Sequence, residues 1–288
     1  MKITDFYVFI HQNERMADFM RTIITVIIAA ALLTSCSGME KRNAEEAINV
    51  VYEQGGEQSL SEKSMGWGFV KKKGEEPDIS QEERDMMEKY DAYYIDPARE
   101  KRIYLTFDEG YENGYTAKIL DVLQEKDVKA AFFVTGPYLE GQQELVSRMI
   151  EEGHTIGNHT INHPNLTKCD RETFESELTG LNEKCENIYG VSMKYMRPPE
   201  GEYSERVLYQ AKELGYKTIF WSFAYKDWDV NQQKGEQYAY DSVTPYFHNG
   251  EIILLHAVSS DNAAALGRII DSAREQGFEF GTLDEIAQ

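Results

Sequence analysis

From Lys101 onward, short apolar runs alternate with longer amphipathic stretches. Arg102–Phe107 (RIYLTF) reads as a strand and Tyr115–Lys126 as a helix; Ala130–Thr135 (AAFFVT) and Gln142–Glu152 repeat the pair. Extended residues at Thr155–Asn158 precede a long helix at about Arg171–Tyr189, with Phe174, Leu178, Leu181 and Ile188 near helical spacing. Strand Met193–Met196, helix Ser204–Gly215, strands Lys217–Phe223 and Glu251–His256, and helix Asp261–Gln276 complete the series. Repeated β-then-α units predict an α/β fold, a parallel sheet with helices outside. Continuous apolar strands such as Ile252–Leu255 agree, because a parallel strand is buried on both faces. No fixed-period repeat is evident.

The chain before Lys101 reads differently. Ile23–Leu33 is an apolar run behind Arg21, short for a bilayer span but of the length of a signal-peptide core. It leads into Leu33-Thr34-Ser35-Cys36, which resembles a bacterial lipobox with Cys36 as the lipidated residue. That assigns residues 1–36 to a lipoprotein signal peptide, with Met16 or Met20 as alternative starts. Residues 37–65 form a polar tether and residues 66–288 the compact domain. The lipobox likeness implies an extracytoplasmic protein anchored by lipid to the outer face of the cell membrane; the alternatives are an ordinary secretory signal and a single membrane anchor. Lys71–Met87 is highly charged and reads as a solvated segment or short helix.

Charge narrows the partners. A formal net charge of −20 argues against nucleic acid and against adhesion to anionic lipid, since both need clustered Lys and Arg. A neutral sugar is not excluded. The chain has 3 cysteines, and Cys169 and Cys185 predict no particular pairing.

Candidate chemistry gathers at strand ends. Asp108 and Glu109 follow Tyr104–Phe107, and adjacent carboxylates resist joint ionisation, so a metal or a proton transfer is a reason to keep them together. His159 follows one strand, Arg197 another, Asp227 comes shortly after a third, and His256 closes a fourth. In a βα barrel such ends converge on one rim. His159 and His163 are four apart, which on a helical turn places both imidazoles on one face, roughly 6 Å apart along the axis. Two His and a carboxylate would make an open site of the hydrolytic zinc kind. Pro198 and Pro199 stiffen the loop that presents Arg197. An Asp227–His256 hydrogen bond would raise the imidazole's pKa and prepare it to give a proton, and Trp228 is a natural wall for a sugar ring. His154 is expected to be structural.

TFDEG, HTINH, RPPEG, DW and LLH, in this order, resemble the motifs of the polysaccharide deacetylases, the NodB-type domain of carbohydrate esterase family 4. Longer stretches, DEGYENGYT, RPPEGEYSE and LLHAVSSDNAAAL among them, resemble the delta-lactam-biosynthetic de-N-acetylases, muramic acid deacetylases of spore-forming bacteria. The resemblance implies a distorted, TIM-barrel-like (β/α) barrel of about seven units. It implies hydrolysis of the N-acetyl group of N-acetylmuramic acid in peptidoglycan glycan strands, toward the muramic lactam of the spore cortex. A divalent metal, zinc first with cobalt or manganese as alternatives, would assist a monomeric enzyme. Carried over by position, Asp108 is the base, His159 and His163 are metal ligands, Arg197 orients Asp108, and His256, oriented by Asp227, is the acid. A backbone N–H near Glu200 would hold the oxyanion, and Trp228 and Tyr111 would meet the sugar. Most of the family has Asp at position 109, and the muramic type tends to have Asn. Glu109 either ligates with a small shift or points away. The alternatives are an N-acetylglucosamine deacetylase and, in another class, a glycan-binding lipoprotein with a degenerate site.

Overall fold

The computed structural model describes residues 60–286. The signal segment, Cys36, His11 and most of the tether lie outside them. A compact unit spans Ser61–Gln288, so the last tether residues already dock on it. The Ser61 amide donates to Glu205, and Met65–Gly66 pairs antiparallel with Glu202–Tyr203.

The frame is a sheet whose strands all pair in parallel: β1 (Ala92–Tyr93), β2 (Arg102–Glu109), β3 (Ala130–Val134), β4 (Thr155–Asn158), β5 (Tyr195–Met196), β6 (Lys217–Ile219), β7 (Glu251–His256) and β8 (Glu279–Phe280). Their spatial order is β7-β2-β3-β4-β5-β6-β1, with β8 also against β2. The sheet curls, and bridges Ile95–Glu251 and Phe223–Ile253 tie its two ends. This is the distorted barrel of about seven units that the motifs implied.

Around it lie α1 (Gln81–Lys89), α2 (Thr116–Glu125), α3 (Gly136–Gly141), α4 (Gln143–Glu151), α5 (Arg171–Tyr189), α6 (Glu205–Glu213), α7 (Glu236–Val243) and α8 (Ser260–Glu275). Strand alternation splits the core into two layers. On β2, Ile103, Leu105 and Phe107 join the larger cluster with Ile119, Leu120 and Leu266 from the helices, while Tyr104 packs inside the barrel with Phe133, Tyr195, Ile219 and Ile252. Side-chain caps start α1, α5, α6 and α8. Asp170 caps α5, which stops at Gly190 in the left-handed conformation, and Ser259 caps α8.

One expectation needs correction and two elements go beyond what was expected. The charged stretch Lys71–Met87 contains a hairpin, Val70–Lys72 with Glu75–Asp78, and most of α1, which starts at a Ser80–Glu83 capping box. The strand expected over Lys217–Phe223 ends at Ile219. Its continuation switches partners: the Phe220 amide donates to Tyr93 O on β1, and the Ser222 amide to Ile252 O on β7. Barrel closure therefore breaks the strand. Helix α7 occupies residues that carried no helical signal, because only Ala239 and Val243 of its eight residues are buried.

Candidate active site

Asp108 lies near the C-terminal end of β2, in register with His256 on β7. It shares the inward side of the strand with Tyr104 and Thr106. Its Oδ1 accepts from Arg197 Nη1 at 2.7 Å, and its Oδ2 lies 3.6 Å from His159 Nε2. Burial pushes the Asp108 carboxyl up, but Arg197, His159 and His256 together hold it below the usual carboxylate range.

Arg197 is wholly buried and held on every side. Its Nε donates to Ile219 O, and Nη2 donates to Thr106 Oγ1 and Phe220 O. The guanidinium sits 4.2 Å from the centre of the Phe133 ring, a cation–π contact. That ring needs Gly157 beneath it, since a Cβ there would lie 2.5 Å from its edge. The following loop turns sharply, with Glu200 at φ 57° and Gly201 at φ 69°. Glu200 points to solvent.

His159 Nδ1 donates to Arg197 O at 2.9 Å, since a carbonyl can only accept, and this leaves the Nε2 lone pair free. Burial lowers its pKa to about 4 against the opposing pull of Asp108, so the ring is neutral. His163 is exposed, and its ring centre is 4.8 Å from that of His159. The two do not share a helical face as the spacing suggested. They sit in an irregular loop in which Thr160 (φ 68°) and His163 (φ 56°) take left-handed backbone angles, and the His163 amide donates to Thr160 Oγ1. The loop brings the rings together by another route.

Glu109 continues the outward parity of Phe107. It is fully buried, and neither carboxylate oxygen has a hydrogen-bond partner. Burial, with Glu112 and Asp108 nearby, raises its pKa well above the ordinary glutamate value. Of the two alternatives for this residue, the side chain takes the one that points away. Among the described residues no group of three or more His, Cys, Asp or Glu could hold a metal ion. The neutral, oriented His159 and the adjacent His163 fit a divalent metal as two of its ligands, and no third protein ligand is in place.

On the other side of Asp108, His256 Nδ1 bonds Asp227 Oδ1 at 2.7 Å, and the His256 backbone N–H donates to Asp227 Oδ2 at 2.8 Å. Burial lowers the pKa of His256, but Asp227 and Asp108 outweigh it, and the net shift is upward. The Trp228 ring is 5.9 Å from the imidazole and 53% exposed. Tyr111, in the loop after β2, is 54% exposed. His154 is structural, its Nδ1 accepting from the Ala130 amide. Cys169 and Cys185 are free thiols.

Residues 96–219 match the polysaccharide deacetylase family model. The chain is 45% identical over 269 residues, 93% of its length and 96% of the relative's, to the peptidoglycan-N-acetylmuramic acid deacetylase PdaA of Bacillus subtilis strain 168. This chain is a family 4 polysaccharide deacetylase. The solved structure of B. subtilis PdaA, a family 4 carbohydrate esterase, superposes with a TM-score of 0.77, covering 79% of this chain and 98% of that one. A peptidoglycan-N-acetylglucosamine deacetylase of Bacillus cereus is 32% identical over 70% of this chain and 74% of its own. The deacetylase is thus a hydrolase of amide bonds in a family that is metal-dependent in general.

The motif reading contained Thr106, the first residue of TFDEG, but gave it no role, and it assigned nothing to the groups around Asp227; in the structure Thr106 holds Arg197. Asn262 bonds Asp227 Oδ2 at 2.6 Å, and Gln233 bonds the backbone carbonyls of Asp227 and Asp229. Ser259–Asn262 lies inside the stretch LLHAVSSDNAAAL that carried the resemblance, but nothing in the sequence tied Asn262 to Asp227.

Proposed function

We propose that the deacetylase hydrolyses the N-acetyl group of N-acetylmuramic acid in peptidoglycan, producing the free amine and acetate. The observation that carries this reading is the pairing of Asp108 and His256 on neighbouring strands, one carboxyl held below its ordinary pKa and one imidazole raised above its own. The opposite shifts favour a charged base beside an imidazole readier to hold a proton, the division an amide hydrolysis needs.

Asp108 accepts a proton from the attacking water, and Arg197 keeps its other oxygen fixed. A backbone N–H near Glu200 would help hold the developing oxyanion, the role that the family likeness implies. As the tetrahedral intermediate collapses, His256 Nε2 gives its proton to the departing nitrogen, and Asp227 stabilises the imidazolium that precedes the transfer. A divalent ion, zinc or alternatively cobalt or manganese, held by His159 and His163 would supply Lewis-acid polarisation of the amide. Trp228 and Tyr111 offer exposed aromatic faces to the sugar rings.

The muramic substrate rests on the PdaA likeness. It carries the further expectation of a monomeric, lipid-anchored enzyme outside the membrane, tethered through Cys36 and preparing the muramic lactam of the spore cortex. The 32% identical B. cereus relative motivates the second reading, N-acetylglucosamine as substrate. The test incubates the soluble domain, stripped of metal, with peptide-free glycan strands, with and without zinc or cobalt. Mass spectrometry then identifies acetate and the deacetylated amino sugar. Metal-stimulated acetate with muramic acid supports the proposal, and glucosamine supports the second reading. No acetate from folded protein overturns both and leaves a glycan-binding lipoprotein with a degenerate site.

A further inference from the structure

The Asp227–His256 pair does not stand alone. Asp227 sits in an irregular segment after β6, not on a strand, so its aim depends on what grips it. Its Oδ1 serves the His256 imidazole, and its Oδ2 accepts from the His256 amide and from Asn262 Nδ2. Asn262 is 1% exposed, on the first turn of α8, where its own amide is taken by the Ser259 cap. Its side chain can face Asp227 in only one way, because a carboxylate accepts and the NH2 group must therefore point at it. The carbonyl end is then turned toward the Tyr225 hydroxyl, which donates to it. Burial keeps that phenol protonated, so it remains a donor. A single run of hydrogen bonds thus passes from Tyr225 through Asn262 and Asp227 to the imidazole, each bond polarising the next.

We infer that Asn262, aligned by Tyr225, is a positioning residue that holds the Asp227 carboxylate in the plane of the His256 ring. This rests on the role proposed above for His256. Asn262 touches no substrate; it acts through Asp227, and its Nδ2 also donates to the His256 backbone carbonyl at 3.2 Å, which ties the same amide to the strand end that carries the imidazole. Without its donor, Asp227 keeps the bond to a backbone amide but is free to pivot about it, and the Nε2–H of His256 loses its fixed direction.

The test measures acetate release from glycan strands at saturating zinc for Asn262→Ala, Asn262→Asp and Tyr225→Phe, alone and in an Asp227→Asn background. Asn262→Ala is expected to lower kcat on the order of ten- to a hundredfold, the range for partners one step from the reacting groups, with KM little changed. Tyr225→Phe, which keeps the ring and its packing, follows in the same direction with a smaller loss. In the Asp227→Asn background the further loss from Asn262→Ala shrinks to nearly nothing. Asn262→Asp regains a donor only when protonated, so its activity declines with rising pH across a range where the parent enzyme is flat.

Equal losses from Asn262→Ala in both backgrounds, or an Asn262→Asp variant as active as the parent at every pH, would overturn the inference. If Asn262→Ala does not fold, as its melting curve would show, Tyr225→Phe carries the test, and full activity in that variant is the negative result. Should His256→Ala also keep full activity, the role given to His256 is what has failed. With His256→Ala inactive and the Asn262 variants unaffected, only the present inference falls.

Discussion

The two halves of the site are built in opposite ways. The base half, Asp108 with Arg197 and His159, belongs to the barrel wall. Its guanidinium is tied to backbone carbonyls of the β6 segment, to Thr106 on β2 and to the Phe133 ring on β3, so it cannot move without the sheet. The acid half places His256 on β7 but its partner Asp227 on an irregular segment, clipped to α8 by Asn262 and Gln233 and edged by the exposed Trp228. A base that must stay charged though buried needs fixed countercharge; an acid that must meet a leaving group at the rim needs access. Rigidity therefore goes to the base and exposure to the acid.

Breaking the base half should have the largest consequence. Arg197→Ala would leave Asp108 buried without its cation, a loss on the order of 3–5 kcal/mol in stability as well as activity, read by urea denaturation and acetate release. Asp108→Asn retains an oxygen for Arg197 but not its countercharge, so it should fold with lowered stability and lose about 10²–10⁴-fold in kcat. Near-parental activity in that variant would remove Asp108 from the role of base.

The acid half should yield to pH before it yields to denaturant. Since Asp108 titrates below the usual carboxylate range, the acid limb of the kcat/KM profile should lie low. Since His256 titrates above its ordinary value of 6.5, activity should fall only on the alkaline side of that value. Asp227→Asn removes the charge that raises His256, so the alkaline limb should move to lower pH while the acid limb stays. An unmoved alkaline limb would mean that another group sets it.

This contrast also explains what was legible in the sequence. The base half lies on buried parallel strands, whose unbroken apolar runs mark themselves, and its strand ends fall where the motifs fall. The frame from β2 to β7 was readable for the same reason. The hairpin was hidden because its partners are largely solvent and its own two strands, and the charged stretch offered α1 only as a short helix without its ends. The Ser80–Glu83 capping box was nevertheless present as a signal. The His159–His163 spacing suggested a helical face, yet positive backbone angles at Thr160 and His163 do the work, and no periodicity announces those. The supports of the acid half were illegible for a related reason: Asn262 lies in the same quoted stretch as His256, yet nothing in that stretch ties it to Asp227, and the Tyr225–Asn262–Asp227 contacts exist only after the loop has folded.

The finest comparison is between neighbours, Asp108 and Glu109, where one step along β2 separates a carboxyl held below its ordinary range by its cationic partner from one that burial raises well above its own. With its folded pKa above its unfolded one, Glu109 contributes stability that is complete below about pH 4.5 and is lost as pH rises through the folded pKa. Glu109→Gln removes the titrating group and keeps its size. Denaturation midpoints should therefore fall less steeply with rising pH than in the parent, while activity at saturating zinc stays within about twofold, the small effect expected of a side chain with no bond to break. A Glu109→Gln enzyme that folds but no longer responds to zinc would reverse this. Its carboxylate would then have to swing out of the helix layer to join His159 and His163, and β2 would have to give up its outward parity at the last residue.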